Sequence, residues 1–207
     1  MCIAILAMMI PSGYADTIVI DDFEDGLNPA WERKDFRGHV DYTVESFEKG
    51  NVLKAYSQSS ASGLIFRRSY ELKDYPMLSW EWKVSNIYIK GDARVKSGDD
   101  YPARIYVIFP HWFKPLTKSI NYIWSSRLPI GEYLPNAYHS GTVMIAVESG
   151  DDNTGRWVSE SRNVYEDYKM VFGKEPTKVG AIAIMTDSDD TGETATAFYD
   201  NIKISGF

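Results

Sequence analysis

The sequence predicts an all-β protein, a two-sheet antiparallel β-sandwich with one short helix near 164–172. Two observations carry this. About eleven short stretches alternate or run apolar at strand length, separated by clusters of Gly, Asp, Asn and Ser. Apolar residues make up 44% of the 207-residue chain, enough for one large core between two layers.

At the N-terminus, residues 1–10 are apolar, and Pro11-Ser12-Gly13-Tyr14-Ala15 ends in small residues. This reads as a secretion signal over 1–15, cut before Asp16, which places the mature chain in the periplasm or outside the cell. No Lys or Arg precedes the run, so a buried N-terminal strand is the alternative. The run is too short to span a membrane. Cys2 is the only cysteine and would leave with the signal, so the mature domain 16–207 would hold no disulfide, thiolate metal site or cysteine nucleophile.

Strands are expected at 17–20, 40–45, 51–56, 64–70, 78–84, 104–110, 120–125, 142–148, 156–161, 179–186 and 195–204. In Leu78-Ser79-Trp80-Glu81-Trp82-Lys83-Val84 the alternation puts both tryptophans on the core face and Glu81 and Lys83 on the other. The helix has Asn163 as cap with Glu166 three residues on, Val164, Tyr168, Val171 and Phe172 at helical spacing, and Gly173 then Pro176 beyond its end.

A net charge of −7 with no basic stripe excludes nucleic acid as a partner. The strand-edge motifs at the two ends are both acidic. Pairing of the first and last strands would bring Asp22, Glu24 and Asp200 together, a set of oxygen ligands suited to a structural calcium ion. Asp187, Asp189, Thr191 and Gly192 match the first half of a calcium loop. Its twelfth position is Phe198 instead of Glu, which excludes a helix-flanked hand and leaves a looser cation site, a sugar-binding loop or an ordinary turn.

Polar and aromatic side chains on strand faces are the candidate ligand-binding groups: Glu81, Lys83, Arg104, Tyr106 and Asn121 as a groove, with Asp100, Asp187 and Asp189 at its rim. Glu160 and Arg162 are same-face neighbours, read either as an ion pair or as a ligand clamp. For hydrolysis, Glu81 or Glu160 would need a second acid such as Asp99, Asp100 or Asp187, and no spacing fixes such a pair. His39, His111 and His139 show no metal-ligand spacing; His139, in a loop, is a candidate base. No phosphate loop or nucleophile elbow appears.

Several segments together resemble a bacterial family of unknown function, domain of unknown function 3047. They are Leu78 to Val84, Asp99-Asp100-Tyr101-Pro102-Ala103-Arg104-Ile105-Tyr106-Val107, Asn121-Tyr122-Ile123-Trp124, Ser161 to Tyr168, Phe172 to Pro176 and Ala181 to Asp189. The resemblance implies a secreted or periplasmic protein and supplies no activity. More loosely, the termini resemble jelly-roll carbohydrate-binding modules. The expectation is therefore a jelly-roll sandwich that binds a polysaccharide or glycan without catalysis. Two alternatives stand beside it: a lyase or hydrolase, with Arg104 and Tyr106 or His139 in one cleft, and an envelope structural protein. Oligomeric state is not legible.

Overall fold

The computed structural model describes residues 16–207. The expected leader, and Cys2 with it, lies outside them.

Two sheets pack face to face as a jelly-roll sandwich. The smaller holds β1 (Thr17–Asp21), β3 (Asp41–Phe47), β4 (Gly50–Gln58), β6 (Met77–Val84), β11 (Val158–Asn163) and β13 (Thr194–Ser205), in the order β11-β6-β13-β4-β3 with β1 also on β13. The larger holds β2 (Trp31–Arg37), β5 (Ala61–Tyr70), β7 (Arg104–Phe109), β8 (Lys118–Ser125), β9 (Tyr133–Pro135), β10 (Thr142–Ser149) and β12 (Val179–Asp187), in the order β2-β5-β12-β7-β8-β10-β9. Every strand expected from the sequence forms.

Alternation builds the core. In β6 Leu78, Trp80, Trp82 and Val84 are buried, and Ser79, Glu81 and Lys83 face outward. Across the interface Trp80 meets Tyr122 at a ring-centroid distance of 5.5 Å, and Trp82 meets Trp124 at 5.8 Å. Such pairs add roughly 0.5–1.5 kcal/mol each beyond the area they bury. The two tryptophans are therefore core, as their spacing predicts, and unavailable to a ligand.

Two strands were not legible. In β2, Trp-Glu-Arg-Lys-Asp-Phe-Arg, only Trp31 is buried. It is an edge strand, where charge discourages pairing with other chains. β9 is three residues long. One pairing also departs from the antiparallel expectation: β10 runs parallel to β8, because the chain returns through β9 before entering it.

The helix α1 (Val164–Phe172) starts and stops where predicted. Asn163 Oδ1 accepts the Glu166 N–H at 3.1 Å, and Gly173 ends it at φ 63°. Tyr168 packs on Phe109 at 4.6 Å, so the helix closes one end of the core. Asp167, buried, accepts the Tyr122 hydroxyl at 2.8 Å and both Nε and Nη2 of Arg162, at 3.0 and 2.6 Å. Arg162 is thereby paired with the helix and not with Glu160.

The first and last strands pair, as expected, from Thr17 opposite Ser205 to Asp21 opposite Ile202. Hydrogen bonds hold the loop that leaves β1. Asp21 accepts Phe23 N–H at 2.9 Å, Asn28 N–H at 3.2 Å and the Trp31 indole N–H at 2.7 Å. Glu24 reaches the β3–β4 turn, where its Oε2 accepts Asn51 N–H at 3.3 Å and its carbonyl accepts Asn51 Nδ2 at 2.9 Å. Gly50 in that turn has φ 122°, and a Cβ there would lie 2.0 Å from Glu24 Oε1. Gly50→Ala is expected to lower stability by about 1–3 kcal/mol, from positive-φ backbone strain and displacement of Glu24. Chemical denaturation checks this as a lower midpoint at unchanged slope.

Candidate functional site

The outer face of the larger sheet carries a cleft of about 440 Å³. Pairing fixes its floor. One row across the strands reads Lys34, Gly63, Met185, Arg104, Ile123, Ala146, and the next reads Glu32, Ile65, Ala183, Tyr106, Asn121, Met144. The residues lining the cleft come from β2, β5, β12, β7, β8 and β10. Six strands at ordinary spacing make a trough about 24 Å across. Gly63 and Ala183 keep its middle flat, Phe36 and Lys34 edge one side, and Asp99, Asn136 and His139 edge the other.

The far wall is a covered end. Ala93, Tyr101 and Leu128 pack with Ile123, Met144 and Ala146 as a second apolar cluster, away from the main core. Beneath that wall lies a buried ion pair. Arg104 and Asp187 are 4% and 3% exposed, and Nη2 of Arg104 contacts Oδ2 of Asp187. Tyr101 N–H donates to Asp187 Oδ1 at 3.2 Å, and the Tyr88 hydroxyl donates to the Asp187 carbonyl at 2.5 Å. Asp99 accepts from the Tyr101 hydroxyl at 2.8 Å and from Asn136 Nδ2 at 2.6 Å. Burial pushes the Asp99 carboxyl up, with Arg104 and these hydrogen bonds opposing. Burial likewise pushes the Tyr106 phenol up to about 12.

Two buried polar atoms on this face have no hydrogen-bond partner: Nε of Arg104 and Oδ1 of Asn121. One is a donor and the other an acceptor, on neighbouring strands. Leaving such atoms unpaired costs about 1–3 kcal/mol each; both are closed off from solvent, so neither is presented to a ligand in this arrangement.

The expected site residues divide between the two sheets. Arg104, Tyr106 and Asn121 share the trough face, with Asp187 behind Arg104. Glu81 and Lys83 do not join them, because β6 belongs to the smaller sheet and its outer face is on the far side of the sandwich. There Lys49 bridges Glu81 and Asp200, the latter at 2.7 Å. Lys83 sits over Phe47 and Phe198 at 4.6 and 4.4 Å. Sheet membership and register are set by long-range pairing, which the alternation of one strand does not encode.

The calcium site expected from Asp22, Glu24 and Asp200 is not gathered. Asp200 engages Lys49, Glu24 engages Asn51, and Asp22 accepts its own loop's Glu24 N–H at 3.4 Å. Among the described residues the one cluster of metal-ligating type is Asp100, Asp187 and Asp189, with oxygens within 4.8 Å of one another. Its members already have partners. Asp100 accepts Thr191 N–H at 2.6 Å and Asp190 N–H at 3.3 Å, Asp187 holds Arg104, and Asp189 lies 3.9 Å from Arg37. The 187–192 loop is thus a hydrogen-bonded turn.

Phe36, Asn136 and Met185 line the trough without having been singled out by sequence. Phe36 lies in a charged run and Met185 in a buried-looking strand, so neither carried a signal.

A family model described as "Protein of unknown function (DUF3047)" matches residues 29–203. The chain belongs to this family. No curated protein matches this DUF3047 member. Solved structures do. The family 11 carbohydrate-binding module of cellulosomal cellulase Lic26A-Cel5E of Clostridium thermocellum is similar at 12% identity and TM-score 0.52, over 94% of this chain and 97% of that one. The family 30 module of cellulosomal cellulase Cel9D-Cel44B from the same organism is similar at 10% identity and TM-score 0.51, over 92% and 97%. At such identities the likeness establishes the fold.

Glu160 lies away from the trough, opposite Trp80 in the β11–β6 pair, with Oε1 buried and unpartnered. Burial, and then the neighbouring Glu148, push its carboxyl from 4.5 up to about 7; Trp82 and Arg162 oppose. The folded protein therefore keeps a proton that the unfolded chain has released between those values. Stability from this group should fall as pH rises through that window and level off above about 7. Melting temperatures of the wild type and Glu160→Gln from pH 4 to 8 check this, with the difference between them shrinking toward low pH.

Proposed function

We propose that this DUF3047 member is a secreted, non-catalytic binder of a neutral polysaccharide, which lies across the strands in the trough of the larger sheet. The observation that carries the reading is the trough itself: an apolar strip of Ile65, Ala183 and Tyr106 with Phe36 at its edge, lined also by the polar side chains of Ser119, Asn136 and His139. Polyols offer apolar faces and hydroxyls that both donate and accept, and this surface complements both. The carbohydrate-binding-module fold supports the reading, as does the leader-like run at residues 1–15, which suits a periplasmic or extracellular protein. Among the described residues no helix is long and apolar enough to cross a membrane.

Charge supports a neutral ligand and binding over turnover. Arg104, Tyr106 and His139 share the trough, the clustering a uronate lyase would use. Arg104, however, is already neutralised by Asp187 with Asp99 beside it, and the Tyr106 phenol stays protonated near neutral pH. Hydrolysis calls for two carboxyls across the bond. Asp99 is the one carboxylate lining the trough among the described residues, and both its oxygens are occupied.

A panel of neutral and uronate polysaccharides tests the reading. Retention of neutral glycans is expected, weakened about threefold to tenfold by Phe36→Ala, the loss of one exposed aromatic contact. Retention of uronates alone would overturn the neutral-ligand reading, and 4,5-unsaturated products from them would establish the lyase reading instead. No retention at all would end the glycan proposal.

A further inference from the structure

The turn between β7 and β8 is built unlike the rest of the surface. Residues 110–116, Pro-His-Trp-Phe-Lys-Pro-Leu, are all exposed. Trp112 is 90% exposed, Phe113 50% and Leu116 57%. The ring of Trp112 lies beside those of its chain neighbours His111 and Phe113, at centroid distances of 5.7 and 5.9 Å. Three large apolar side chains on one exposed turn form a patch of the kind that marks an interaction surface.

Charge identifies the partner. The chain carries −7 overall, yet 110–118 contains Lys114 and Lys118 and no acid. At the base of the turn a cavity of about 190 Å³ is lined by His111, Leu116, Lys118, Tyr168 and Lys174. Among the described residues neither Lys118 nor Lys174 has an ion-pair partner within 4.0 Å, and Lys118 lies over the Phe172 ring at 4.3 Å. The acid beside them, Glu175, is engaged by the Tyr165 hydroxyl. Burial and the like charge of Lys174 push the Lys118 amine down.

We propose that the 110–116 turn inserts into the interface of an anionic lipid bilayer, with Trp112, Phe113 and Leu116 among the acyl chains and lipid phosphates on Lys114, Lys118 and Lys174. Aromatic and aliphatic tips with a basic collar suit that depth, where apolar burial and attraction to headgroups act together. The trough and the turn use different side chains, so this surface does not depend on the glycan reading.

Vesicles of phosphatidylglycerol and phosphatidylethanolamine, compared with pure phosphatidylcholine, test it. Four of the six tryptophans are buried and Trp112 is the most exposed, so its insertion dominates any emission shift. A blue shift and co-sedimentation are expected with the anionic vesicles. Trp112→Ala should weaken binding about tenfold or more, as the burial of one large aromatic implies. Lys118→Gln with Lys174→Gln should weaken binding to anionic vesicles and reduce its salt dependence. Inorganic phosphate alone should leave the emission unmoved. Absence of co-sedimentation, sedimentation unchanged by Trp112→Ala, or self-association through the turn without vesicle binding would each overturn the proposal.

Discussion

The buried contact between Arg104 and Asp187 is the constraint on which the trough depends. Both groups are taken from water, and each is tolerable there only because of the other. The pair joins β7 to the end of β12, and Tyr101 and Tyr88 bond to Asp187 from the segment that walls the trough. Removing one partner of such a pair costs about 3–5 kcal/mol, because the other is left charged and unpaired. The wall, the floor and the charge of the site are therefore set together.

The same contact narrows what the site can recognise. A guanidinium that faces a free carboxylate ligand must have charge to spare, and this one is spent on Asp187 with Asp99 close by. What remains to a ligand is the polar lining of Ser119, Asn136 and His139 and the apolar strip of Tyr106, Ala183 and Ile65. The opposite face of the sandwich is closed in a parallel way. There Lys49 ties Glu81 to Asp200, and Lys83 lies on Phe47 and Phe198, so cations that could have met a ligand are consumed within the fold.

Local pattern was legible, and long-range pairing was legible only at the two ends of the chain. The alternation in β6 correctly buried Trp80 and Trp82, and the Asn163 and Gly173 signals bounded the helix, because both depend on neighbours a few residues apart. The pairing of first and last strands was also readable from their matching ends. The side-chain partners were not: Asp200 found Lys49 through the pairing of β13 with β4, and Arg162 found Asp167 across the bend from β11 into the helix. Arg104, Tyr106 and Asn121, grouped in the sequence for their polar and aromatic character, do share one face because β7 pairs with β8 and sets Tyr106 opposite Asn121. Glu81 was misplaced because β6 joins the other sheet. β2 escaped notice because a charged edge strand lacks the periodicity by which strands are recognised, and with it Phe36 was missed.

Amide chemical-shift mapping during titration with neutral cello- and manno-oligosaccharides tests the central claim most directly. The account predicts saturable shifts confined to β2, β5, β7, β8 and β12 and to the loops carrying Asp99, Asn136 and His139. Saturable shifts centred on the outer face of β6 and β13, or no shifts with any neutral oligosaccharide, would contradict it.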